Sequence, residues 1–124
     1  MLSYRLYILA LLMVATALST GCSRPVSYAK DVFPILDKHC LSCHKRGEEA
    51  YVTTGFSMET YEDFMKGTKF ESVIKPGSGF ASTLLILVKH EANHSIDMPR
   101  DEQPLTEQEI ETMKVWIDEG ANNN

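Results

Sequence analysis

The chain has 124 residues, with 17 Asp and Glu against 12 Lys and Arg and a formal net charge of −5. Its length allows one small domain around one core. Its acidity excludes the basic footprint that nucleic-acid binding needs.

Residues 1–21 open with a single cation, Arg5, and continue as Leu6-Tyr7-Ile8-Leu9-Ala10-Leu11-Leu12-Met13-Val14-Ala15 before turning to small residues. A short basic start, an apolar centre and small residues make a secretory signal. Thr16, Ser19, Thr20 and Gly21 dilute the stretch before it reaches the roughly 20 apolar residues of a membrane span. Its end, Leu18-Ser19-Thr20-Gly21-Cys22, resembles a bacterial lipoprotein box, with Leu18 one place earlier than in the commonest form. The resemblance implies lipidation of Cys22, which would then begin the mature chain, and attachment to a membrane facing the periplasm; an ordinary cleaved signal is the alternative. Residues 22–27, with Pro25 and two serines, read as a lipidated tether, residues 28–121 as the domain, and residues 122–124 as a tail. Without residues 1–21 the chain keeps 17 acidic against 11 basic side chains, a net charge of −6. That charge suits a redox partner with a basic docking surface, since complementary charge speeds encounter; it equally serves solubility.

The first helix is expected after Asp31 as N-cap, with Pro34 in its opening turn, and it runs through Val32, Phe33, Ile35 and Leu36 into Cys40-Leu41-Ser42-Cys43-His44. Cys-x-x-Cys-His is the attachment spacing of a c-type haem. The two sulfurs form thioethers with the porphyrin vinyl groups, and on a helical turn the spacing carries His44 beneath the iron as proximal ligand. Two other chemistries use parts of this pattern. Zinc wants four nitrogen or sulfur ligands, and only His90 and His94, four apart, offer to complete such a set. A thioredoxin-like pair needs a βαβ surround, which the chain lacks. Cysteine usage favours haem with lipid: the chain has three Cys, so Cys40 and Cys43 on the haem and Cys22 on the lipid leave none over.

A second, short helix is expected from Thr60 as cap, with Asp63 at the capping-box position, Tyr61, Phe64 and Met65 on the apolar side and Gly67 as stop. A third is expected from Phe80 to Lys89, because Phe80, Leu84, Leu87 and Val88 share a helical face, although residues 84–88 also read as a strand. The last is the clearest. Thr106-Glu107-Gln108-Glu109 is a capping box, Leu105 and Ile110 form a hydrophobic staple, and Ile110, Met113, Trp116 and Ile117 make the buried side, closed by Gly120.

A haem that carries electrons has a second axial ligand. Met65 and Met113 lie on apolar helix faces, Met58 precedes a helix, and His39 adjoins Cys40 on the proximal side. The loop His90-Glu91-Ala92-Asn93-His94-Ser95-Ile96-Asp97-Met98-Pro99 supplies the remaining candidates. Met98 is preferred, with His94 and His90 as alternatives, because Pro99 holds the preceding residue extended and a soft, neutral thioether favours reduced iron.

Taken together, Asp31-Val32-Phe33-Pro34-Ile35-Leu36 before the haem motif, Lys75-Pro76-Gly77, Met98-Pro99, and Trp116-Ile117-Asp118-Glu119-Gly120-Ala121 resemble the small single-haem class I c-type cytochromes, nearest to the planctomycete-type cytochrome c domain. The resemblance implies the all-α cytochrome c fold, about four short helices around one covalently attached haem c, with His44 and Met98 as iron ligands. It further implies Pro76 as a backbone orienter of His44 and Arg100 near a propionate. The function it implies is one-electron transfer without substrate chemistry. A haem sensor, or a gas- or peroxide-binding module with a displaceable distal ligand, is the alternative. The loop 45–58 is longer and more polar than this family needs, and reads as a partner contact or a surface insertion.

Overall fold

The computed structural model describes residues 24–100 and 103–124. The expected signal segment and Cys22 lie outside them. Among the described residues the secondary structure is helical, with no strand, so this part of the chain is all-α as expected. A π-helical turn, Tyr28–Val32, runs into helix α1, Phe33–His39; α2 is Glu49–Thr54, α3 is Tyr61–Lys66, α4 is Thr83–Val88 and α5 is Glu107–Asp118. None is long and apolar enough to cross a membrane.

The first helical segment starts earlier than expected. Its N-cap is Ser27, whose hydroxyl accepts from the Lys30 N–H at 3.3 Å, while Asp31 reaches back to accept from the Ser27 N–H at 2.7 Å. This is the reciprocal logic of a capping box, widened by one residue because the turn is π-helical. Asp31 is therefore the returning partner rather than the cap. Its carboxyl is held down at about 2, chiefly by the Arg24 guanidinium and next by the Ser27 N–H. Pro34 sits in the first turn of α1, just past the π-helical turn.

Helix α3 follows expectation at both ends: the Thr60 hydroxyl accepts from the Asp63 N–H at 3.1 Å, and Gly67 stops it at φ +80°. Asp63 does not complete a box; its carboxylate takes a two-point bond from Arg46, at 2.8 and 3.1 Å. Gly67 has a second duty, because a Cβ there would lie 2.5 Å from Glu71 O and from Ser72 Cα.

The third expected helix is shortened to Thr83–Val88, and Phe80 is 95% exposed rather than on its buried face. Two bonds explain the shift. The Gly79 N–H donates to Asp118 Oδ1 at 2.6 Å, and the buried Ser82 hydroxyl accepts from the Lys75 N–H at 2.9 Å while donating to Ser78 O at 2.9 Å. Residues 75–82 thus form a closed turn strapped to α5, and the helix begins only beyond it. Helix α5 carries the full capping box: Thr106 Oγ1 accepts from the Glu109 N–H at 3.2 Å and Glu109 Oε2 accepts from the Thr106 N–H at 2.9 Å.

Tyr28, Val32 and Leu36 from the first segment meet Phe64 of α3, Leu84 and Val88 of α4, and Met113, Trp116 and Ile117 of α5, all buried. Phe64 stacks on Trp116, centroids 6.0 Å apart and planes 6° from parallel, and Tyr28 leans on Trp116 at 5.6 Å. Such rings bury large areas and dominate a small core. Residues 122–124 belong to this packing: Asn122 O accepts from Trp116 Nε1 at 2.9 Å, and Asn124 satisfies the N–H groups of Tyr28 and Ala29 at 2.8 and 3.1 Å. The opening donors of the first segment, orphaned by helix geometry, therefore find acceptors at the chain's other end.

Candidate functional site

The C-terminus of α1 is fixed before the candidate site begins. Glu109 Oε1 lies 3.0 Å from both Lys38 Nζ and His39 Nε2, so the capping residue of α5 also clamps the last turn of α1. Its carboxyl is lowered to about 2, most by the Thr106 N–H, and by the bonds from His39, Lys38 and the Thr106 hydroxyl, against an opposing cost of desolvation. His39, spent on this contact, is not available to the distal side.

Cys40 is the C-cap of α1, its N–H bonded to Leu36 O. Its own carbonyl accepts from the N–H groups of both Cys43 and His44, at 3.1 and 2.9 Å. One tight turn thus gathers Cys40, Cys43 and His44. Cys40 is half-buried and Cys43 exposed.

His44 is held from two sides by the loop 45–58. Its carbonyl accepts from the Met58 N–H at 2.8 Å, and its ring meets Phe56 edge-on, centroids 5.3 Å apart. Its Nδ1 is buried with no hydrogen-bond partner. Burial lowers the imidazole's pKa below its ordinary 6.5, partly opposed by the Phe56 backbone, so the ring is neutral at pH 7 and carries a lone pair, the form that binds metal. The loop is thus more than a surface insertion, because Phe56, Ser57 and Met58 are buried and the first and last of them brace the histidine. Its middle forms α2, a helix with no buried residue. The backbone beside the His44 ring belongs to Phe56; Pro76 lies exposed in the strapped turn.

Met98 stands on a different element. After α4 the chain turns through His90 at φ +55°, and the Met98 N–H donates to Leu87 O at 3.1 Å. Met98 is half-buried, and its carbonyl lies 3.1 Å from His90 Nε2. His94 is 99% exposed, 3.7 Å from the buried carboxylate of Asp97, whose Oδ1 has no partner. Ile86 and Ile96, on the helix and loop leading to Met98, are exposed. Among the described residues no three His, Cys, Asp or Glu side chains gather to hold a metal ion among themselves. His90 and His94 are accordingly not brought together with Cys40 and Cys43. Cys22 lies outside the described residues.

The residues fit a covalently attached macrocycle. Two thiols and an imidazole with an unpartnered nitrogen share one turn, and the loop bearing the thioether is flanked by exposed apolar side chains. Phe56 and Met58 position the turn through contacts with a residue distant in sequence, so no local pattern signals them; Glu109 is visible in the sequence as a capping-box residue, but its contacts to Lys38 and His39 are not. No family model matches this chain, and neither the curated proteins nor the solved structures yield a match.

Proposed function

We propose that this protein is a one-electron carrier, a membrane-anchored periplasmic monohaem c-type cytochrome with the class I cytochrome c fold. The observation that carries the reading is the single turn that presents Cys40, Cys43 and a neutral His44 with an unpartnered ring nitrogen. When bound, haem c supplies the exchange between Fe(II) and Fe(III).

The chain's own residues have four tasks on this reading. Cys40 and Cys43 hold the group covalently. His44, steadied by Phe56 and by the Met58 N–H, offers its nitrogen as the proximal ligand. Met98 offers the distal thioether from a loop tied to Leu87 and His90. Ile86 and Ile96 offer apolar surface to a largely apolar ring. The tasks are binding, orientation and exclusion of water, with no substrate to transform, so the protein is proposed as a carrier and not an enzyme. Its partners are redox proteins with a basic docking surface, met from a membrane to which Cys22 is anchored by lipid.

The test is expression in a host that attaches haem c outside its cytoplasm. The expected product carries one haem that survives denaturation, gives a c-type pyridine haemochrome and loses its covalent link in the Cys40→Ser, Cys43→Ser double variant. A chain that leaves such a host with zinc and no haem would refute the proposal.

A further inference from the structure

The segment expected to be a short lipidated tether is fixed to the domain from Arg24 onward. Arg24 makes a two-point bond to the Asp31 carboxylate, at 2.7 and 2.8 Å. The Val26 N–H donates to Glu119 Oε2 at 2.9 Å, and the Ser27 hydroxyl donates to Asn124 O at 2.7 Å. Only Ser23 stands between Cys22 and the pinned Arg24. Two residue steps span about 7 Å at full extension, so acyl chains on Cys22 would bring the end of the domain that holds residues 24–31 and 119–124 onto the bilayer.

The same end carries an exposed aromatic. Adjacent residues of the α5 terminus hold the two segments: Glu119 takes the Val26 N–H, and Asp118 takes the Gly79 N–H at 2.6 Å. Gly79 packs so closely on α5 that a Cβ would lie 3.0 Å from Lys114 Cγ. The next residue, Phe80, is 95% exposed in the turn locked by Ser82. A single exposed aromatic is ordinary on a protein surface; this one projects from a turn tied to the same α5 terminus that holds the Val26 N–H. At this end of the domain Asp118 is paired with Lys114 at 2.8 Å and Asp31 with Arg24, while Glu119 accepts from the Val26 N–H. The Arg24 and Lys114 cations offset the charges of Asp31 and Asp118 against repulsion from anionic headgroups.

We infer that this end of the domain is a membrane-docking surface, with Phe80 seated in the lipid interface and the haem-binding turn held away from it. Aromatic rings are favoured at that depth. From Tyr28 to His39 the first segment is helical without a break, a span of about 18 Å at the usual helical rise, which separates the pinned end from the 40–44 turn. A domain fixed in this way would present that turn to partners in solution instead of rotating on a flexible stalk.

The inference rests on lipidation of Cys22, and the test separates the two. The full chain, in its native membrane, carries p-benzoylphenylalanine in place of Phe80 or, as a control, of the exposed Ser42. On irradiation, phospholipid adducts are expected at position 80 and not at position 42. Insertion of ten Gly and Ser residues between Ser23 and Arg24, a flexible spacer of about 18 Å, is expected to reduce the adducts at position 80 at least fivefold. Mass spectrometry of the N-terminal peptide reads the acyl group independently. An unacylated Cys22 removes the anchor and the docking inference together. An acylated chain with no lipid adduct at position 80, or with equal adducts at 80 and 42, overturns the docking inference alone.

Discussion

Glu109 is the residue through which a local sequence signal acts on the candidate site, and the Glu109→Gln variant isolates its charge. The amide still accepts from Thr106, but it gives up the ionic part of the contacts to Lys38 and His39. In the folded protein the carboxyl titrates at about 2 against an ordinary 4.5, so the folded state favours the ionised form. A depressed carboxylate adds stability that is full above about pH 5 and disappears as the pH falls through about 2. The shift corresponds to an upper limit of about 3 kcal/mol. Screening around the largely exposed Lys38 partner discounts it to about 1.5 kcal/mol. For a domain of this size that is a fall in Tm of about 8 °C. Urea unfolding followed by far-ultraviolet circular dichroism should show the full gap between wild type and variant at pH 7, a shrinking gap through pH 4, and coincident curves near pH 2. A gap that stays constant from pH 7 to pH 2.5 would refute the assignment of the low pKa to this network. So would equal stability at pH 7.

Three further substitutions probe separate parts of the reading. Met98→Ala should abolish a low-spin His/Met spectrum, lower the reduction potential and let carbon monoxide bind promptly to the reduced protein; an unchanged spectrum and potential would exclude Met98 as ligand. Gly67→Ala forces a Cβ against Glu71 O and Ser72 Cα at φ +80° and should cost about 3 kcal/mol in urea unfolding, a loss below 0.5 kcal/mol being incompatible with the close approach. Phe56→Ala removes a buried ring that touches both His44 and Phe64. It should cost about 3 kcal/mol and broaden the magnetic-resonance signals of His44, whereas a stable variant with an unchanged His44 would show that the ring is not a brace.

What could be read from the sequence was what is decided locally. The capping box of α5 needs only Thr106 and Glu109, three residues apart, and it forms as expected. The cysteine and histidine spacing is likewise internal to one turn. Ser27 was passed over as a cap because the π-helical turn moves the returning carboxylate to Asp31, one position beyond the familiar spacing. Helix α2 buries no residue, so it has no apolar stripe from which to be recognised. Phe80 completes a helical face by spacing, yet its fate is set by the bond between Gly79 and Asp118, 39 residues apart. Phe56 and the 122–124 segment are similar cases, since polar or irregular sequence gains its role only from the surface it meets.

The two proposed iron ligands are held in unequal ways, and this bears on how the site would respond to perturbation. The His44 turn follows a helix clamped by α5 through Glu109, and its ring begins an unbroken line of aromatic contacts. Phe56 passes it to Phe64 at 6.1 Å, Phe64 to Trp116 at 6.0 Å, and Trp116 to Tyr28 at 5.6 Å. Moving His44 therefore means disturbing the rings that make the core. The backbone hydrogen bonds of the Met98 loop stay within its own neighbourhood, from Met98 to Leu87, from Glu91 to Ile86 and from Ile96 to Asn93. Segments with few long-range ties open at a free-energy cost well below that of global unfolding. Mild denaturant should accordingly release the distal ligand first, giving a spectral transition ahead of the loss of helix, while the proximal turn persists until the core itself melts. The asymmetry follows from where the two residues lie: one in a turn that follows a helix clamped to α5 and is braced by aromatic rings, the other on a surface loop closed by local bonds.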